Sequence, residues 1–201
     1  MQGAQAIAAA GADLIIMDDG FQNPALVQDL RLVVLDGETG FGNGRAIPAG
    51  PLRERIQSGL SRADALVLVG ADRHGVAAAG HQLPVLRACI EPRDAAWLAG
   101  AAVLGFAGIG RPEKFRVTLG EAGAKLTGFH AFTDHHPYTE HELGQLAREA
   151  DKAGAALVTT EKDWVRLPKA WRARIRPVPV GIHWEDEAAL ASLLARIPAH
   201  V

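Results

Sequence analysis

The chain is poor in residues that would cross-link it or anchor it. One cysteine, Cys89, stands in 201 residues. That excludes an internal disulfide and a cysteine-built zinc site, and it fits a reducing compartment. No apolar run approaches the ~18 residues of a membrane span, and no stretch reads as a signal peptide. Any membrane contact by these residues is expected to be peripheral. Neither sign of charge dominates: 21 Lys and Arg face 23 Asp and Glu, for a net charge of −2, so there is no bulk attraction for nucleic acid. Lysine is scarce. Lys114, Lys125, Lys152, Lys162 and Lys169 are the whole set, and none follows a glycine. The phosphate-cradling loop G-x-x-x-x-G-K-[ST] is therefore missing from these residues.

What is present argues for a folded α/β chain. Apolar residues make up 48%, enough for a real core in one or two domains. Short β-rich runs are expected at 13–17, 31–35, 65–69, 85–90, 102–107, 125–132, 156–160 and 177–182. Helices are expected at 52–61, 112–122, 140–153, 164–174 and 187–196. Such alternation predicts largely parallel sheets. The stretch Glu91-Pro92-Arg93-Asp94 reads as a boundary, giving domains at 1–92 and 93–201, with room for the last helix to pack back. Pro112 suits the first turn of a helix, where its missing N–H costs nothing. Thr139 and Glu142 form a capping box. The opening residues read as a helix already under way, ended by Gly11 and without an N-cap signal, which suggests either sequence upstream or an ordinary frayed N-terminal helix.

Six segments carry chemistry. Asp18-Asp19-Gly20-Phe21-Gln22 follows the apolar run at 14–17, placing two carboxylates at the carboxyl end of an expected strand, where open α/β sheets bind ligands. One acid can hold Mg²⁺ against phosphates, or it can simply cap a turn in which Gly20 takes a positive φ. Gly40-Phe41-Gly42-Asn43-Gly44-Arg45 lets backbone approach a ligand, or is a plain loop. Pro51-Leu52-Arg53-Glu54 puts Arg53 and Glu54 in the first turn of an expected helix, with Arg45, Arg55 and Arg62 near in sequence, where arginines can hold phosphate or form local ion pairs. Gly108-Ile109-Gly110-Arg111-Pro112 opens a further helix. Asp134-His135-His136 offers an imidazole that can move a proton or orient a base. Thr159-Thr160-Glu161-Lys162-Asp163 ends a strand, where Lys162 can reach a phosphate and a threonine can cap the next helix.

In their order, D-D-G-F-Q, G-F-G-N-G, P-A-G-P-L-R-E, F-A-G-I-G-R-P-E-K-F, F-x-D-H-H-x-Y and T-T-E-K-D resemble the tetraacyldisaccharide 4′-kinases, the lipid A kinases of Gram-negative bacteria. The resemblance spans roughly residues 11–182. It implies the remainder of a P-loop-type parallel-sheet domain followed by a smaller α/β domain. It also implies transfer of the ATP γ-phosphate, with Mg²⁺, to a lipid disaccharide 1-phosphate at the cytoplasmic face of the inner membrane. Asp18 and Asp19 then match the acidic Mg²⁺ site, and His135 the histidine that pairs with a catalytic aspartate. Arg53 and Glu54 match polar residues near the substrate cleft. Gln22, Lys162 and Asp163 enter as motif members, Gln22 and Lys162 as candidates for substrate or nucleotide contact. The family's membrane anchor, its P-loop and that aspartate are expected upstream, so the chain alone is expected to be inactive or nearly so. Two other readings stand beside this one. One is a metal-dependent hydrolase using Asp18, Asp19, Asp134 and His135. The other is a non-catalytic module binding nucleotide or lipid phosphate.

Overall fold

The structure is a computed structural model that describes residues 2–79 and 82–198. It divides into two compact units, one formed by Met1–Cys89 with His183–Val201, the other by Ile90–Ile182. The sequence-based division at 92/93 thus becomes one at 89/90, and residues 183–201 group with the first unit.

The chain opens with α1 (Gln2–Ala9), followed by β1 (Leu32–Asp36), α2 (Ile56–Leu60), β2 (Ala65–Val69), α3 (Val76–Ala79) and β3 (Val85–Pro92). It continues through β4 (Ala102–Ala107), α4 (Pro112–Glu121), β5 (Lys125–Ala131), α5 (Glu140–Ala153) and β6 (Ala156–Thr160). The short helices α6 (Glu161–Trp164) and α7 (Lys169–Arg172) lead to β7 (Arg176–Val178), β8 (Val180–Trp184) and α8 (Glu187–Leu194). One sheet has the order β1-β2-β3-β8 and the other β5-β4-β6-β7. β1, β2 and β3 pair in parallel, as do all four strands of the second sheet.

Both sheets bury two faces, as parallel sheets do. Alternation along β2 sends Leu66 and Leu68 to a core with Leu60 and Val76, and Ala65 and Val67 to another with Leu86 and Leu193. In the second unit, Leu104 and Phe106 of β4 pack with Leu143 and Leu146 of α5. Val103 and Ala107 pack with Phe115 and Leu119 of α4. The capping box is formed: Thr139 Oγ1 accepts from Glu142 N at 3.2 Å, and Glu142 Oε2 accepts from Thr139 N at 2.8 Å.

Four expectations are corrected. Residues 13–17 form no strand. Leu14 and Ile16 are 55% and 85% exposed, and no strand of the described residues pairs with them. An extended segment without a ladder partner has nothing to offset its lost entropy. The helix expected at 52–61 begins only at Ile56, because the backbone of 45–52 is engaged elsewhere: Ile47 N donates to Leu52 O and Leu52 N to Arg45 O. Pro168 interrupts the helix expected at 164–174, leaving α6 and α7. The strand expected at 177–182 is two, separated at Pro179, which pair in different sheets.

Candidate active site

In the first unit, D-D-G-F-Q and P-L-R-E, 32 to 34 residues apart in sequence, are brought side by side. Arg53 Nη2 donates to Asp19 Oδ2 at 2.6 Å, and both side chains are more than half exposed. Gln22 Nε2 donates to Glu54 Oε1 at 3.1 Å. Arg62 closes on the same carboxylate with two bonds, Nη2 to Oε1 at 2.7 Å and Nη1 to Oε2 at 2.9 Å. Its guanidinium also lies 5.3 Å from the centre of the Phe21 ring, within cation–π range. The Arg62 hydrogen bonds hold the Glu54 carboxyl below its ordinary range, against partial burial and with help from Gln22. They raise the Arg62 guanidinium in turn.

The positive φ expected at Gly20 falls instead on Asp19, at 52°. Gly20 is required for a different reason, since a Cβ there would lie 2.5 Å from Met17 Cβ. Asp18 is exposed. Because the preceding residues form no strand, the pair sits on a loop and not at a strand end. The G-F-G-N-G loop serves the P-A-G-P-L segment: Asn43 Nδ2 donates to Ala49 O at 2.9 Å, and a Cβ on Gly50 would collide with Asn43 Oδ1 and Arg45 O.

Among the described residues, no three His, Cys, Asp or Glu side chains converge on one metal position. An all-protein cage is therefore not on offer. Adjacent hard-oxygen donors at Asp18 and Asp19 fit a Mg²⁺ that takes one or two carboxylates and completes its shell with phosphate and water. Asp19 would have to share its carboxylate between that ion and Arg53.

The second unit holds the other cluster. The chain leaves β4 for β5 on one side and returns to β6 on the other, so the carboxyl ends of β4 and β6 form a topological switch point. Three motifs meet there. Asp163, fully buried, accepts from Gly108 N at 3.0 Å and from Thr160 Oγ1 at 2.7 Å, both through Oδ2. Arg166 Nη1 lies 3.4 Å from Asp163 Oδ1 and 3.3 Å from Gly108 O. His135 N donates to that same carbonyl at 3.0 Å.

His135 has φ 59°, a region few non-glycine residues occupy, and its imidazole is 77% exposed. Its Nε2 lies 3.8 Å from Asp134 Oδ2. His136 takes a structural place, with Nε2 at 3.0 Å from Glu142 Oε1 and its ring 4.7 Å from that of Phe132. The Tyr138 hydroxyl is buried beside the Asp163 carboxylate and Gly108. Burial first, and then the Asp163 charge, push it well above its ordinary value, so it stays protonated. Lys162 is exposed in the first turn of α6.

Of the predicted residues, Asp19, Gln22, Arg53 and Glu54 thus share one contact network with Asp18 beside it, while His135 and Lys162 belong to the second unit. Sequence reasoning gave Arg62 as one of the arginines near Arg53 and Glu54, and missed Arg166, Tyr138 and the part played by Asp163. Only Asp163 carried a local signal: it stands three residues after Thr160, the register of a helix cap. Thr160 Oγ1 does accept from Asp163 N, at 3.1 Å.

The profile of the family described as tetraacyldisaccharide-1-P 4′-kinase matches residues 1–198. A tetraacyldisaccharide 4′-kinase of Paramagnetospirillum magneticum is 50% identical over 198 residues, covering 97% of this chain and 61% of its own length. The corresponding protein of Rhodospirillum centenum is 52% identical over 196 residues, with 96% and 58% covered. The chain therefore spans about 60% of the length of these relatives. A crystal structure described as the "apo" form of LpxK from Aquifex aeolicus in complex with ATP superposes with a TM-score of 0.62 at 26% identity, covering 89% of this chain and 55% of that one.

Proposed function

The chain belongs to the tetraacyldisaccharide-1-P 4′-kinase family, and from that premise we propose that its residues serve transfer of the ATP γ-phosphate to the 4′-hydroxyl of a tetraacyldisaccharide 1-phosphate. The observation that carries this reading is the interlock of Asp19 with Arg53 and of Gln22 with Glu54. It joins an acidic pair to cationic and polar groups in one exposed cluster, the side-chain set that phosphoryl transfer needs around its charges. The ATP held by the Aquifex relative supports the nucleotide.

The 4′-oxygen attacks the γ-phosphorus, ADP leaves, and the hydroxyl proton passes to a base. Asp18 and Asp19 would hold Mg²⁺, which when bound neutralises phosphate charge. Arg53 steadies Asp19 and is itself a phosphate-binding group. Glu54, kept ionised by Arg62 and Gln22, fixes the loop that carries Arg53. His135 presents an imidazole able to orient or hold a proton, and Lys162 is a candidate phosphate contact. The first unit serves as the remainder of the nucleotide-binding domain and the second as the smaller α/β domain. The site of action is the cytoplasmic face of the bacterial inner membrane, with peripheral attachment; no helix of the described residues is long and apolar enough to cross a membrane.

These 201 residues contain no G-x-x-x-x-G-K-[ST] loop, so the cradle for the phosphates must come from other residues. The test is a chimera joining this chain to the remaining segment of the Paramagnetospirillum relative, assayed with MgATP and the lipid acceptor. The chimera is expected to phosphorylate the 4′ position. Asp18→Ala and His135→Ala should each lower turnover by about 10³-fold, the loss of a few kcal/mol from the barrier. A folded, ATP-binding chimera with no 4′ transfer sinks the reading, and so does full activity in both variants. The 201-residue chain alone is expected to show no turnover.

A further inference from the structure

We propose that Asp163 is a positioning residue that sets the exposed imidazole of His135 through Gly108. The proposal rests on the reading that His135 takes part in phosphoryl transfer.

Capping does not account for this carboxylate. The cap of α6 is the Thr160 hydroxyl, which receives Asp163 N. The Asp163 side chain accepts the Thr160 hydroxyl in return, at 2.7 Å, and reaches beyond the cap with no exposed surface. Its Oδ2 takes Gly108 N–H at 3.0 Å while Oδ1 faces Arg166 at 3.4 Å. Arg166 reaches Gly108 O at 3.3 Å. Gly108 is thus gripped at its N–H by the acid and at its C=O by the acid's own counter-ion. That C=O is also the acceptor for His135 N–H. A buried charge is costly unless it is paired and hydrogen-bonded. This one divides its bonds between Thr160 and Gly108, the residue that fixes the histidine.

The backbone of His135 supports the same conclusion. A left-handed non-glycine residue persists only where its surroundings over-determine it. His135 N also donates to Asp134 Oδ1 at 3.0 Å. Its neighbours are immobilised too: Phe132 N donates to Ala107 O, and His136 N to Thr133 O. The packing around Gly108 admits no side chain, because a Cβ there would lie 2.8 Å from the Tyr138 hydroxyl, 3.1 Å from Thr133 O and 3.2 Å from His136 Cβ. The imidazole itself, by contrast, projects into solvent. A loop held this firmly beneath a free side chain is an arrangement for presenting that side chain in one orientation.

The experiment is amide hydrogen exchange and ¹H–¹⁵N imidazole spectroscopy on the 201-residue chain. Asp163→Ala is expected to speed exchange of the His135 amide at least about tenfold and to shift its imidazole signals, while amides of β4 and β6 interiors keep their protection. Asp163→Asn, which retains an acceptor for Gly108 N, should restore most of that protection. If Asp163→Ala does not fold, Arg166→Met tests the other grip on Gly108 and should loosen the His135 amide in the same local way. Unchanged His135 exchange in a folded variant overturns the proposal. So does a uniform loss of protection across the second unit, the mark of a merely structural acid. In the chimera, Asp163→Ala should lower kcat at least about tenfold with the KM for ATP within twofold. Should His135→Ala leave chimera turnover unchanged while exchange responds as stated, the functional reading fails and the positioning of His135 by Asp163 stands.

Discussion

Asp19 and Arg53 form an ion pair of 2.6 Å between a loop residue at positive φ and the segment leading into α2. Both partners are largely solvated, so the pair adds only about 0–1 kcal/mol to stability. Its larger effect is to occupy a carboxylate that a cation would use. Arg53→Ala is therefore expected to leave the melting temperature nearly unchanged and to tighten Mn²⁺ binding at Asp18 and Asp19 by up to about fivefold, the equivalent of ~1 kcal/mol. Paramagnetic broadening of the Gly20 and Phe21 amides reports that binding. Weaker or equal binding in Arg53→Ala would show that Asp19 is not a cation ligand.

The Glu54 carboxyl lies below its ordinary 4.5 in the folded chain, chiefly because Arg62 donates to it. Unfolding releases it to the ordinary value, so the unfolded chain binds more protons in the acid range. Stability is full above about pH 4.5 and falls as pH drops through the folded value. Glu54→Gln should flatten that acid slope in urea titrations between about pH 3 and 5. The flattening will be partial, because Asp64 and Asp72 are lowered too. Burial opposes the shift of Asp64, which Arg31 imposes, whereas backbone N–H groups of Ala77 and Val76 lower Asp72. An unaltered slope in Glu54→Gln would remove Glu54 from the account.

Gly108→Ala places a methyl group 2.8 Å from the Tyr138 hydroxyl. Overpacking of this kind costs about 1–3 kcal/mol. Tyr138→Phe alone should cost about 1 kcal/mol, since it removes a buried hydroxyl that lies against the Asp163 carboxylate. The double variant should recover part of the loss, but not all of it, because Thr133 O and His136 Cβ remain in the way. Urea denaturation followed by tryptophan fluorescence measures all three. A neutral Gly108→Ala would mean that the loop yields easily.

The first unit carries solvent-exposed apolar side chains at Leu14, Ile16, Val27 and Val34, and β1 is the edge strand of its sheet. Unpaired edges and apolar surface invite association. The isolated chain is expected to self-associate with rising concentration, and Ile16→Asp with Val34→Lys should reduce that without lowering the melting temperature. A monodisperse monomer at high concentration by light scattering would count against this.

The second unit was the more legible in sequence. β4, β6 and α5 have the expected bounds because each signal is local: apolar-rich runs that begin shortly after Gly100 and Gly154, and a T-x-x-E cap ahead of Leu143 and Leu146. The same logic misplaced 13–17, where an apolar run has the composition of a strand and no partner to pair with. Pairing is a property of the sheet, not of the segment. Leu52, Ile56 and Leu60 gave a helical stripe that starts a turn too early, because Arg45 and Ile47 engage the backbone of Leu52. At the site, motif order singled out Asp19, Gln22, Arg53 and Glu54. Nothing in the sequence linked Gln22 to Glu54 across 32 residues, or Asp163 to Gly108 across 55. Those contacts exist only once the strands are in register.

The first unit is made of two separated stretches of chain, and the second is a single continuous one. Arg93 N donates to Pro179 O at 2.8 Å, so the entering and departing strands of residues 90–182 run together at a distance of one hydrogen bond. The second unit is therefore an insertion into the chain of the first, with its own two ends close together. A protease cutting at one of those ends would leave the piece attached at the other. Gene fragments encoding 90–182 alone should yield a domain whose own two ends are already neighbours, which makes it suitable for excision, circular permutation or exchange between relatives.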